Sequence, residues 1–319
     1  MSVLKVLVRS IRHEAEGIRS IELVPTEGVV LPGFTAGAHI DVSLQNGLVR
    51  SYSLINPQGE TDRYVIAVNK DRASRGGSKF VHESVAPGDL ITVSEPRNNF
   101  PLSETREHAV LIAGGIGITP IWAMVQRLSA IGATWELHYA CRTRRNAAFL
   151  REIEALGSAR GCKVNISFDQ EPGGKMLDLG DIVRSSPPDS HFYCCGPTPM
   201  LEAYQRATEG LPPSKVSMEM FAAPVAAAAT SGTFKVVLAK KGVTLVVEEG
   251  TTILETLLQN GIKHNYSCTQ GICGTCETVV LEGIPEHRDW VLTGERKTSN
   301  KTMMICCSGS RTESLVLDI

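Results

Sequence analysis

Cys268, Cys273 and Cys276 form a C-x4-C-x2-C array, with Cys306 and Cys307 further along the chain. That spacing lets one loop wrap a plant-type [2Fe–2S] cluster and deliver three thiolates, the fourth arriving from a distant segment. Gly271 and Gly274 lie between the thiols. Lacking a Cβ, they tolerate positive φ and close approach, so backbone N–H groups can point at the sulfurs. Structural zinc is also held by four cysteines but prefers two short knuckles. Here the first gap is longer and three ligands share one loop. Iron–sulfur chemistry is therefore the expectation, with Cys306 and Cys307 competing as fourth ligand.

A second constellation suits a nucleotide. Gly114-Gly115-Ile116-Gly117-Ile118-Thr119-Pro120 follows the apolar run Ala109-Val110-Leu111-Ile112-Ala113 and opens a helical stretch over 120–130. Such glycines let backbone approach a pyrophosphate, whose charge a helix N-terminus favours. Alone the turn is explained equally by tight packing. Its weight comes from Cys195-Gly196-Pro197, at the end of a later strand. For Cys195 the plain alternative is a small buried hydrophobe; Cys194 is read as structural. Arg142, Arg144 and Arg145 follow a strand ending at Ala140 and suit either a 2′-phosphate or a solvated helix start. Asp169, after the next strand, would repel a 2′-phosphate and accept from ribose hydroxyls. Arg50-Ser51-Tyr52-Ser53-Leu54 is, by itself, an ordinary strand carrying an arginine.

Three kinds of element must position these residues. Residues 1–103 are rich in short alternating runs such as Leu4-Lys5-Val6-Leu7-Val8 and Tyr64-Val65-Ile66-Ala67-Val68. Gly33, Gly37, Gly47, Gly59 and Gly88 punctuate them, which predicts a small antiparallel β-barrel. Over 104–224 strands and helices alternate: strands at 109–113, 135–140, 164–168 and 191–195, helices at 120–130 and 147–156. That pattern predicts a parallel α/β domain. The uncharged, Ala-rich stretch around Pro224 reads as a linker over 225–232. Residues 233–319 begin with a hairpin, 234–238 and 244–247, followed by a helix at 253–260 and the cysteine loop.

Bulk properties set limits on function. The 319 residues are 42% apolar with a formal charge of −2, which supports sizeable cores and argues against a general nucleic-acid binder. No run approaches the ~18 apolar residues of a membrane span, and the first residues read as a strand rather than a signal peptide. Nine unevenly placed cysteines do not form a secreted disulfide framework. Reduced thiols in a cytoplasmic protein are expected.

Taken together, the glycine turn and Cys195-Gly196-Pro197 resemble the nicotinamide half of the ferredoxin–NADP reductase superfamily. The resemblance places Thr119 and Cys195 near the nicotinamide ring, and Gly114, Gly115, Gly117, Gly196 and Pro197 around the dinucleotide. Arg50-Ser51-Tyr52-Ser53 is similar to its R-x-Y-S motif. There Arg50 would meet flavin phosphate, Tyr52 would pack on the isoalloxazine, and Ser53 would bond near N5, with Ser51 part of the motif. Gly76-Gly77-Ser78 would add N–H groups and a hydroxyl at the phosphate. Glu95-Pro96-Arg97-Asn98-Asn99-Phe100-Pro101-Leu102 matches the FMN-using branch, and Phe221 falls where that branch sets an aromatic against the flavin.

The order flavin barrel, nicotinamide domain, C-terminal ferredoxin resembles the phthalate dioxygenase reductase family, which includes vanillate O-demethylase reductases. The family's tail selects Cys306 as fourth ligand, with Cys307 in a Val place. Gly309 stands where relatives often carry Arg, and the unremarkable loop Gln170-Glu171-Pro172-Gly173-Gly174 leaves nicotinamide choice to Asp169, hence NADH. The resemblance implies electron flow from NADH through FMN and the [2Fe–2S] cluster to a Rieske-type terminal oxygenase, by a chain that is often monomeric. A general NAD(P)H diaphorase with another one-electron protein acceptor is the alternative. A zinc-bearing nucleotide sensor would leave the flavin motif unused.

Overall fold

The computed structural model describes residues 3–71, 74–104, 107–221 and 232–319. All of the expected linker except Gly232 lies outside the described residues. The chain divides into two compact units, Met1–Phe221 and Ala222–Ile319.

The first unit opens with an antiparallel barrel. Strands β1 (Val3–Ala15), β2 (Ile18–Pro25), β3 (His39–Ser43), β4 (Val49–Ser53) and β5 (Tyr64–Asn69), helix α1 (Gly77–Ser84) and strand β6 (Leu90–Ser94) follow in turn. The strands lie in the order β4-β3-β6-β1-β2-β5. Leu54 bridges Ile66 and the Ile55 N–H donates to the Val65 carbonyl at 2.8 Å, so the two edges meet and close the sheet. Apolar alternation decides which face turns inward: Val6, Val8, Ile21, Leu23, Ile40, Ile66 and Val93 fill the interior.

The α/β part follows: β7 (Ala109–Gly114), α2 (Ile118–Ile131), β8 (Trp135–Cys141), α3 (Leu150–Arg160), β9 (Lys163–Phe168), α4 (Leu179–Ser185), β10 (His191–Cys195), α5 (Thr198–Thr208) and β11 (Val216–Glu219). The five strands are parallel, in the order β11-β10-β7-β8-β9. Central β7 is buried at every residue, as a strand covered on both faces must be. Helix α3 starts at Leu150, later than the expected 147. Phe149 is held at φ 60°, a left-handed conformation that breaks the helix, while its ring stacks on Trp122 at 6.4 Å.

Barrel and α/β part share one core. Ala36, Ile55, Ala67 and Phe100 from the barrel pack in the same cluster as Ile121, Met124 and Tyr193. Gln126 Nε2 on α2 donates to the Ile55 carbonyl at 2.8 Å, and the Ser103 N–H donates to the Tyr193 hydroxyl at 2.9 Å.

The second unit is a small mixed sheet with a helix. It contains β12 (Phe234–Leu238), β13 (Val243–Val247), α6 (Ile253–Gln259), β14 (Glu277–Glu282), β15 (Pro285–Glu286), α7 (Gly294–Ser299), β16 (Thr302–Met304), β17 (Gly309–Ser310) and β18 (Ser314–Leu317). The main sheet runs β13-β12-β18-β14-β16. A Thr252–Glu255 capping box opens α6, satisfying two N–H groups that a helix start leaves without partners. The antiparallel barrel, the parallel α/β domain and the C-terminal ferredoxin-type fold are those the sequence predicts. Among the described residues no helix is long and apolar enough to cross a membrane.

Candidate functional site

Strand β4 carries the R-x-Y-S motif on a barrel edge. A strand alternates its faces, so Arg50 and Tyr52 share one side and Ser51 and Ser53 the other. Arg50 lies against the start of α1: a Cβ on Gly77 would come within 2.7 Å of Arg50 Cγ and Nε. Gly76, at φ 89°, turns the chain into that helix without a side chain of its own to cap it, and Ser74 Oγ accepts the Lys79 N–H of the first turn at 3.3 Å. A guanidinium beside the N–H groups of Gly77 and Ser78 at a helix start suits a phosphate dianion. The residues therefore fit the phosphate of a flavin mononucleotide. The Arg50 guanidinium also donates to the carbonyls of Val49 at 2.8 Å and Arg75 at 3.0 Å, which fixes its direction.

The serines are disposed differently from the motif's simple reading. The Ser51 hydroxyl donates to Asp41 Oδ1 at 2.6 Å, and Asp41 Oδ2 accepts from Arg97 Nη2 at 2.7 Å. Ser51 thus belongs to a polar network behind the strand, not to the face bearing Arg50. The Ser78 hydroxyl donates to Ser74 Oγ at 2.9 Å and accepts from the Asp71 N–H at 3.2 Å, so it is engaged within the chain. Ser53 is buried at the end of β4, opposite His39. Burial pushes the Tyr52 phenol up to about 12, so it stays neutral.

The two nicotinamide motifs interlock. A Cβ on Gly114 would fall 2.6 Å from Pro197 Cδ, and one on Gly196 would lie 2.6 Å from Met200 Sδ. A Cβ on Gly117 would overlap the Cys195 carbonyl. Glycine at these positions is what allows the turn after β7 to nest against the turn after β10. Gly115, at φ 53°, donates its N–H to the Cys141 sulfur. Thr119 is buried in the first turn of α2, and its hydroxyl donates to the Ile116 carbonyl at 2.9 Å. These residues meet at the C-terminal edge of a parallel sheet, where α/β folds bind dinucleotides.

Beyond β8 and β9 lies a cleft of about 610 Å³ lined by Glu16, Arg142, Thr143, Arg145, Asn146, Gln170 and Glu171. Glu16 enters from the barrel, its N–H bonded to the Arg145 carbonyl at 2.8 Å. Arg144 turns away from the cleft, its guanidinium 5.3 Å over the Phe168 ring. Asp169 is exposed and does not line the cleft; its N–H donates to the Cys141 carbonyl at 3.1 Å.

Sequence reading missed Glu219. It closes β11 directly beside Cys195 of β10. Its Oε2 is sealed from solvent and has no partner among the described residues, and burial pushes its carboxyl up to about 8. The Cys195 thiol is fully buried and held well above its ordinary value by burial first and by Glu219 second. It is no nucleophile at neutral pH. The available signal was a lone acid ending the strand Val216-Ser217-Met218-Glu219. Phe221, two residues on, is 42% exposed, an aromatic left available at the end of this unit.

In the second unit Cys268, Cys273, Cys276 and Cys306 are all buried. Cys268 touches Cys273 and Cys306, and Cys306 touches Cys276. Cys306 also touches Cys307. Four buried thiols gathered around Cys268 and Cys306 would suit a two-iron unit with two thiolates per iron. The Cys268 sulfur accepts from the N–H groups of Gln270, at 3.3 Å, and Ile272. The Cys273 sulfur accepts from the Cys268 N–H at 3.5 Å. Gly271 and Gly274 have φ of 71° and 75°, and β-branched Thr269 is held at 57°, a conformation such residues rarely adopt. The Cys307 sulfur faces the Met304 carbonyl at 3.7 Å and packs under Gly271. Gly309 is buried opposite Glu286.

Comparison with known proteins agrees with this geometry. Residues 236–310 match the 2Fe-2S iron-sulfur cluster binding domain, and residues 111–206 the oxidoreductase NAD-binding domain. The chain is 56% identical over 320 residues to a tetrachlorobenzoquinone reductase of Sphingobium chlorophenolicum, covering 100% of this chain and 99% of that one. It is 47% identical over 319 residues to a phenoxybenzoate dioxygenase subunit beta of Ectopseudomonas oleovorans, covering 100% and 98%. Among solved structures, phthalate dioxygenase reductase matches with a TM-score of 0.73 at 35% identity, over 100% of this chain and 98% of that one. The chain therefore belongs to the phthalate dioxygenase reductase-like family of oxidoreductases, which join a nicotinamide-binding domain to a C-terminal [2Fe–2S] domain.

Proposed function

We propose that the chain is the NADH-dependent reductase component of a Rieske-type aromatic-ring oxygenase or O-demethylase, working in the cytoplasm as a monomer. The observation that carries this reading is one chain holding both a two-electron dinucleotide site and a buried four-thiolate site for one-electron transfer. A bound flavin would accept hydride from the dinucleotide and give up electrons singly to a [2Fe–2S] cluster. A Rieske centre, at about −150 mV or higher, lies downhill of a plant-type cluster near −400 mV.

The protein's own work is placement. Arg50 and the N–H groups of Gly76, Gly77 and Ser78 hold the FMN phosphate. Tyr52 and Phe221 would flank the ring; Ser53, which the resemblance sets near N5, lies buried on the Ser51 side of β4. Ser51 supports the strand from behind. Gly114, Gly115, Gly117, Gly196 and Pro197 admit the pyrophosphate, while Thr119 and Cys195 border the nicotinamide. Asp169 takes a ribose hydroxyl. Neutral Glu219 offers a proton for a hydrogen bond beside Cys195. Cys268, Cys273, Cys276 and Cys306 ligate iron. The domains run 1–103, 104–224 and 233–319, with a linker over 225–232.

Cys276→Ser tests the electron route. Cytochrome c reduction by NADH should fall at least about 100-fold, since a flavin alone serves a protein acceptor poorly. Ferricyanide turnover should survive. Equal loss of both activities would falsify the route. The quinone reductase at 56% identity favours a second reading, in which a quinone is the acceptor. A quinone takes both electrons from flavin, so its turnover would persist in Cys276→Ser.

A further inference from the structure

One buried group in the second unit has no place in the mechanism above. Asp289 has a side chain with no exposure, and His287, two residues before it, is 9% exposed. The nearest atoms of the pair, His287 Nδ1 and Asp289 Oδ1, stand 3.6 Å apart. Neither of these atoms, nor His287 Nε2, has a hydrogen-bond partner among the described residues. Unpaired polar atoms of this kind cost about 1–3 kcal/mol each, so a chain that keeps them uses the residue for something. The other oxygen, Asp289 Oδ2, accepts the N–H groups of Val291 at 3.1 Å and Leu292 at 2.7 Å. Those bonds fold 289–292 into a tight turn.

The turn is attached on both sides of the thiolate site. The Trp290 N–H donates to the Gly271 carbonyl at 2.9 Å, which ties it to the loop bearing Cys268, Cys273 and Cys276. The Arg288 N–H donates to Ser308 Oγ at 3.3 Å, and Glu286 pairs with Gly309, which ties it to the tail bearing Cys306. Gly271 is packed between the two: a Cβ there would lie 2.6 Å from Cys307 Sγ and 3.1 Å from Asp289 Cα. Lys297 closes the far side, its Nζ donating to the Asp289 carbonyl at 2.5 Å and lying 3.9 Å from Oδ2. Arg288 is engaged by Glu286 at 2.6 Å.

We infer that Asp289 is a positioning residue for the [2Fe–2S] cluster. Its carboxylate builds the turn that staples ligand loop to ligand tail, and its charge, offset only in part by Lys297 at 3.9 Å, sits behind Gly271, where it opposes addition of an electron to the cluster. Coulomb forces are weakly screened at such a buried position. The inference rests on the four-cysteine cluster proposed above.

The test uses the full chain, purified with its cofactors, as wild type, Asp289→Ala and Asp289→Asn. Asn keeps one carbonyl oxygen for the turn but removes the charge. Asp289→Ala should release iron to a chelator about 100-fold faster or more, the factor that losing two charge-assisted backbone bonds implies. Asp289→Asn should retain its cluster, with a midpoint potential moved to more positive values and an altered EPR spectrum of the reduced state. An Asn variant with the wild-type potential and spectrum overturns the inference, including where the Ala variant does not fold. A wild-type protein without iron and without an EPR signal overturns instead the cluster reading on which the inference rests.

Discussion

At the scale of single residues, two charges define the first unit's chemistry. Arg50 is aimed by two backbone carbonyls at the start of α1. A charge-assisted bond to phosphate contributes roughly 1.5–3 kcal/mol, so Arg50→Ala should weaken FMN binding by about 10- to 100-fold. Flavin fluorescence after gel filtration reads this directly. Retention at wild-type occupancy would remove the arginine from the phosphate site. Glu219 behaves oppositely: the residue is half-buried, and desolvation around its sealed Oε2 raises the carboxyl and favours its neutral form. With its folded value raised to about 8 from 4.5, the folded state binds the extra proton between those limits. Its contribution is fully present below pH 4.5 and is lost as pH rises towards 8. Glu219→Gln should flatten that fall. Melting temperatures of the two proteins should converge at pH 5 and separate in the variant's favour at pH 8–9. Parallel curves would show that Glu219 ionises freely.

At the scale of elements, glycines determine how closely two turns meet. Gly117→Ala would drive a methyl group into the Cys195 carbonyl, and overpacking of this kind costs about 1–3 kcal/mol. The turn after β7 would have to withdraw from the turn after β10. NADH affinity should fall with the melting temperature, while FMN content stays near wild type because β4 and α1 are untouched. Titration of NADH against retained flavin checks this, and unchanged affinity would mean the two turns do not form one site. The same element scale explains which residues were legible in sequence. Cysteines at C-x4-C-x2-C and glycines before a helix act through local geometry, so their spacing carries the message. Ser51 does not: its partner Asp41 is set by the β3–β4 register, which no local pattern encodes. Glu219 likewise became visible only when parallel pairing put it beside Cys195.

At the scale of the whole molecule, the barrel and the nicotinamide domain are one folding unit. Phe100 packs edge-to-face with Tyr193 at 6.0 Å, and Met124 of α2 lies in the same core as barrel residues Ile55 and Ala67. A fragment of residues 1–103 would expose that apolar surface and should not melt cooperatively. A fragment of residues 1–221 should melt in one transition and bind FMN and NADH. Calorimetry of both fragments decides the point, and a cooperative transition in the shorter one would refute a shared core. The sequence by itself determined the order of the three folds, the C-x4-C-x2-C array and the glycine turns, while the choice of Cys306 over Cys307 came from the family's tail. The folds, the array and the turns depend on alternation, composition and spacing within a few residues. Tertiary structure alone decided that Ile55 is tied to α2, that the Ser51 hydroxyl meets Asp41, and that Asp289 braces the cysteine loop. Each of these is a contact between residues distant in sequence, formed only when separate apolar surfaces share one core.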